Sequence, residues 1–166
     1  PRRDIWHHPS LLSAWADFAS DSYVAYVKLQ ADILHAQTRH PIGTDMMPRP
    51  GVDYADVHQF LDMVQFNHYN LMEDIWRAGF WFDFARAIKP VPFWNTETQT
   101  CWNGRSWVAG GYKEPGFCRI NSWLPIALGA EANLYWLWRQ HWAGQENMHG
   151  SVLSSHAPIS PYHSPT

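Results

Sequence analysis

The chain reads as α/β, with parallel strands and helices crossing between them. Stretches of helical period alternate with short apolar or β-favouring stretches along the sequence. The strand-like stretches fall at 41–47, 62–69, 91–97 and 132–138, each preceded by a helical one. Each also ends in polar or aromatic residues: Asp45, Asn67 to Tyr69, Glu97 and Arg139. Strands that alternate with helices pair in parallel. In such sheets ligands gather at the C-terminal ends of the strands. Repeated polar endings therefore point to one shared site on that face.

Composition narrows the function. The 166 residues suit one domain, and 46% of them are hydrophobic, enough for a real core. The formal charge of -3 gives no electrostatic footprint for nucleic acid or an anionic membrane. No apolar run approaches the ~18 residues of a membrane span. The start, Pro1-Arg2-Arg3-Asp4, has neither an initiator Met nor a signal-peptide apolar region, so a chain cut from something longer and a cytoplasmic location are expected. The two cysteines, Cys101 and Cys118, are too few for a disulfide framework or a four-cysteine zinc site. His7-His8 has no third ligand at metal spacing, so no metal or other cofactor is expected. The unusual quantity is tryptophan: 11 Trp within 16% aromatics. An indole face covers sugar C–H groups while neighbouring polar groups bind hydroxyls. A large aromatic core is the plainer account of most of them.

The elements follow in order. Ser10, after Pro9, can cap a helix whose stripe is Leu11, Trp15, Phe18, Ser22, Tyr26, Leu29 and Ile33. It ends before Pro41. A strand over 41–47 ends at Asp45, and Pro48, Pro50 and Gly51 then impose a loop. A short helix at 53–60 precedes the strand 62–69, and a long one at 71–88 stops at Lys89-Pro90. The strand 91–97 carries Glu97 at its lip. Glu97 is either a catalytic acid or a surface Glu at a strand end. Residues 103–116 form a long glycine-rich loop, a type usually tied to function. A helix at 117–129 contains Pro125 as a local defect, and 132–138 is the most apolar strand. A further helix is expected to begin in 145–156, carrying Glu146 and His149. Residues 1–156 make the domain, and the Pro- and Ser-rich tail 157–166 reads as disordered.

The segments HPIGTDMMP, DMVQFNHYN, PFWNTETQTCWNG, INSWLPIALGAEANLYWLWRQ and GQENMHGSVLSSH resemble glycoside hydrolase family 42. These are retaining β-galactosidases with a (β/α)8 catalytic barrel. The resemblance covers residues 9–156 and is strongest in the last third. It implies that the four strands are the fifth to eighth of a barrel. It places Glu97 as the nucleophile at the end of the seventh strand. Tyr69 stands where the family has a tyrosine after the sixth, and Trp136 where it has an aromatic on the eighth. Glu146 and His149 match a pair that binds galactose hydroxyls. Trp102 corresponds to the tryptophan after the nucleophile, with Trp107 as the fallback. Arg139 either supports Glu97 electrostatically or pairs with an acid elsewhere.

Two departures matter. Asp45 stands where the family often has Asn. The family's acid/base is a Glu in an Asn-Glu dipeptide after the fourth strand, and this sequence has no Asn-Glu. Its five Glu are Glu73, Glu97, Glu114, Glu131 and Glu146. The resemblance thus implies a galactosidase whose second carboxylate is not in this chain. Four strands are also half of a barrel, since a whole one takes ~250 residues. Self-association, or pairing with an N-terminal half-barrel, is expected because an open sheet leaves bare edges. The alternative reading is a galactoside-binding module without chemistry. A serine hydrolase or nucleotide enzyme is disfavoured, for there is no Gly-x-Ser-x-Gly elbow, phosphate loop or dinucleotide glycine pattern.

Overall fold

The computed structural model describes residues 2, 4–47, 50–70, 75–100, 116–147 and 149–153. In chain order the elements are α1 (Pro9–His35), α2 (Tyr54–Val57), β1 (Val64–Asn67), α3 (Arg77–Ile88), β2 (Phe93–Gln99), α4 (Phe117–Ala127) and β3 (Ala130–Trp136). The three strands form one sheet in the order β1-β2-β3, and both pairings are parallel. The α/β reading holds.

The sheet's inner cluster is Val64, Phe66, Phe82, Phe93 and Ala130, closed by Ala78 and Ala85 of α3. The alanines let the helix approach the strands closely, and the phenylalanines fill the gap. The Phe82 and Phe93 rings stack at 6.0 Å. Each such ring contributes about 1.5–3 kcal/mol by leaving water. Gly129, at φ 100°, turns the chain from α4 into β3. This conformation lets the last strand start at Ala130, two residues before the alternation suggests.

Several elements differ from expectation. The cap of α1 is His8, whose Nδ1 accepts from the Ser10 backbone N–H at 3.2 Å. Pro9 takes the first helical position, where its fixed φ fits and its missing donor costs nothing. The apolar stripe of α1 faces outward: Trp15 is 50% exposed and Phe18 61%. The seated face is instead Val27 and Ala31, packed on Ile42, Met46, Val57 and Leu61. Periodicity locates an apolar face but not the neighbour that covers it. Residues 41–47 run beside β1 without forming a ladder strand. They are held where Asp62 N–H meets the Ile42 carbonyl at 2.8 Å and Asn67 N–H meets the Met46 carbonyl at 2.7 Å. No helix forms over 145–153 among the described residues. Gly144 at φ 93° opens a turn there, and Leu153 then pairs in parallel with Arg139. The Gln140 N–H donates to the Leu153 carbonyl at 2.9 Å, so extended pairing satisfies the backbone that a helix would have satisfied. Residues 103–115 of the glycine-rich loop, and the tail, fall outside the described residues.

Candidate active site at the strand ends

Glu97 lies in the second half of β2, in register with Asn67 at the end of β1. Its carboxylate is half-buried and both oxygens accept hydrogen bonds. The Asn67 Nδ2 amide donates to Oε2 at 2.6 Å, and the Tyr69 hydroxyl donates to Oε1. The Glu97 carbonyl accepts from the His68 N–H at 2.9 Å. A register shift between Phe66 and Asn67 accompanies this meeting. Two oxygens acting only as acceptors match what an ionised carboxylate offers.

Tyr69 is the electrostatic centre of the cluster. Burial pushes its hydroxyl well above the ordinary tyrosine range, and the bond to Glu97 and the charges of Glu97, Glu146 and Asp45 push it the same way. Tyr69 is therefore a fixed proton donor at neutral pH. Asp45 accepts from the Thr96 hydroxyl, which lies 3.2 Å from the Phe66 carbonyl. The His149 N–H donates to the Glu146 carbonyl at 3.0 Å, which orders the turn carrying the pair, and the His149 side chain is buried.

Trp136 ends β3, in register with Gln99 and half-buried, its ring 5.9 Å from that of His141. Arg139 lies exposed just beyond, bridged to Leu153. Trp102 and Trp107 lie outside the described residues. His7 and His8 have local roles: His7 Nε2 sits 2.5 Å from the Arg2 carbonyl, and His8 caps α1.

Sequence reasoning passed over a set of buried amides beneath Glu97. Asn121 of α4 donates to the Thr98 hydroxyl at 2.9 Å and to the Gln99 carbonyl at 3.1 Å. It accepts from Asn70 Nδ2 at 3.3 Å. Asn95 Nδ2 donates to Asn133 Oδ1 at 2.6 Å, linking β2 to β3. The signal was present in the run Asn95 to Thr100. Polar side chains in a central strand are buried on both faces and require partners.

Parallel strands crossed by helices, with a carboxylate and its donors at the strands' C-terminal ends, define an α/β protein with a polar site on the face where such sheets bind ligands. A family model described as β-galactosidase of glycoside hydrolase family 42 matches residues 2–163. The chain belongs to that family. β-Galactosidase YesZ of Bacillus licheniformis is 33% identical over 150 residues, covering 90% of this chain and 23% of that protein. β-Galactosidase Bga of Halorubrum lacusprofundi is 30% identical over 88% of the chain and 23% of its own length. The solved structure of the polyextremophilic β-galactosidase from that haloarchaeon superposes with a TM-score of 0.85, covering 96% of this chain and 26% of that one at 27% identity. A β-galactosidase from the psychrophilic Marinomonas ef1 gives 0.76 over 86% of this chain and 25% of that one, at 26% identity. The chain thus spans about a quarter of the length of the relatives it matches.

Proposed function

We propose that this chain is the nucleophile-bearing part of a retaining β-galactosidase that cleaves terminal β-D-galactosides. The observation that carries the reading is the Glu97 carboxylate, held from both oxygens by Asn67 and Tyr69 at the strand ends. In the first step a Glu97 oxygen attacks the anomeric carbon and the glycosidic C–O bond breaks. A second carboxyl gives its proton to the departing oxygen. In the second step that carboxylate takes a proton from water, whose oxygen displaces Glu97, so the anomeric configuration is retained. The two carboxyl groups of such an enzyme stand about 5–5.5 Å apart. The second one belongs to a part of the protein outside this chain, in keeping with the missing Asn-Glu.

Glu146 and His149 bind sugar hydroxyls, and Trp136 and Trp102 pack on the ring. Tyr69 also serves the substrate by fixing which Glu97 oxygen faces the anomeric carbon. The exposed apolar face of α1 meets an N-terminal half-barrel or a second copy. A cytoplasmic setting agrees with all of this.

The test is lactose hydrolysis by the full-length protein, with the product anomer followed by NMR. β-Galactose is expected to appear first, and Glu97→Gln is expected to stop turnover. Purified 1–166 alone should leave lactose intact. Turnover by 1–166 that Glu97→Gln abolishes would overturn the claim that the second carboxyl lies elsewhere. Calorimetry with galactose separates the binding-module alternative, which requires unchanged affinity in Glu97→Gln and no turnover in the parent protein.

A further inference from the structure

Glu97 is held by groups that must themselves be held. Tyr69 lies two residues past the end of β1, where no ladder bond fixes it. Its next neighbour, Asn70, is buried and donates to Asn121 Oδ1 at 3.3 Å, while the Asn70 carbonyl accepts from the Gln99 side chain. On the other side, Thr98 follows Glu97 directly, and its hydroxyl accepts from Asn121 Nδ2 at 2.9 Å. The same amide reaches the Gln99 carbonyl at 3.1 Å. Asn121 is 2% exposed and sits on α4, not on the sheet. One side chain thereby ties the residue after the carboxylate to the residue after its hydroxyl donor.

We infer that Asn121 is a positioning residue for catalysis. It sets the separation of Tyr69 and Glu97 by clamping Asn70 against Thr98 and Gln99 from the α4 side. This role rests on Glu97 being the nucleophile. Its physical basis is geometric. The amide uses both donor hydrogens and its acceptor at once, so it fixes three points of two strand ends in a medium without competing water. Displacements of about 1 Å at a reacting group cost on the order of 10²-fold in rate. The amide bonds to the neighbours of Glu97 and Tyr69, so its effect on their separation is transmitted through Asn70, Thr98 and Gln99.

The experiment is a double-mutant cycle in the full-length protein with lactose. Asn121→Asp keeps the shape and the acceptor but loses both donations. It is expected to lower kcat roughly 10- to 100-fold, with KM changed less than about twofold because sugar contacts are untouched. Combined with Tyr69→Phe, which already frees the carboxylate oxygen that Tyr69 holds, Asn121→Asp should cost less than about threefold more. Thr98→Val removes one acceptor without adding charge and should reproduce the same pattern more weakly, so a misfolded Asn121→Asp does not end the test. Multiplying rather than overlapping effects would overturn the role, as would a kcat per folded molecule equal to the parent's. Glu97→Gln is measured alongside. Full activity there removes the nucleophile reading and this role with it. Loss there beside an unaffected Asn121→Asp overturns the Asn121 role alone.

Discussion

At Tyr69 a single hydroxyl hydrogen holds one oxygen of the Glu97 carboxylate. Burial and three nearby carboxylates hold that hydroxyl protonated far above neutral pH. The alkaline limb of any pH–rate profile should therefore be unchanged in Tyr69→Phe, while kcat falls roughly 10- to 100-fold for the lost donor, somewhat below the range seen when an oxyanion donor is removed. A profile whose alkaline limb moves in Tyr69→Phe would assign that limb to Tyr69 and contradict this. His68, between Asn67 and Tyr69, makes a second residue-scale case. Burial drives its imidazole down from 6.5 to about 4, against the opposing bond to Asn70. Between those values the unfolded chain binds a proton that the folded one refuses. Stability is thus complete above pH 6.5 and falls as the pH drops toward 4, by on the order of 3 kcal/mol in all. Urea midpoints at pH 7 and pH 4.5 check this, and the drop should shrink in His68→Phe. Glu97 and Tyr69 were legible from the sequence because they end strand-like runs. Asn121 was not, because a lone Asn within a helical stretch carries no periodic signature and its partners lie 22 to 51 residues away.

Among elements, the strands were found and their limits were not. β2 starts and ends two residues later than the apolar run suggests, since Pro92 lacks the N–H a ladder needs while Thr98 and Gln99 find buried partners beyond the run. The helix expected around Glu146 failed for a related reason. Gly144 and the pairing of Leu153 with Arg139 favour a turn and an extended return. One connection lends itself to measurement. Lys89, just after α3, donates to the carbonyls of Leu61 at 2.5 Å and His58 at 3.1 Å. It thereby ties the loop after α2 to the far end of α3. Lys89→Met keeps the stem and removes the donors, leaving those carbonyls short of partners at a cost of about 1–3 kcal/mol. Chemical denaturation should show this as a lowered midpoint with an unchanged slope. A second element test lies at Gly129. Alanine there must hold φ near 100°, and its Cβ would come within 3.1 Å of Arg86 Cδ. Gly129→Ala should destabilise by about 1–2 kcal/mol, read from the thermal midpoint.

For the whole molecule the question is what lies against α1. Leu11, Trp15, Phe18 and Tyr26 are exposed along one helix, and an exposed apolar face of this kind marks an interaction surface. Purified 1–166 is expected to sediment as oligomers, and Trp15→Ser with Phe18→Ser to shift it toward monomer. A monomeric parent chain with little binding of a hydrophobic dye would reject the proposed covering. This face shows the limit of pattern reading at the largest scale, because the apolar stripe was visible and the identity of its cover was not. The amides under Glu97 have a different consequence. Asn70, Thr98, Gln99 and Asn121 hold the strand ends without a single charge. Dissolved ions weaken charge–charge attraction over about 8 Å at physiological ionic strength, but they have no such hold on buried neutral amide and hydroxyl groups. The exposed pairs Lys28–Asp32 and Arg86–Asp83 should loosen in brine, while the frame around Glu97 keeps its shape.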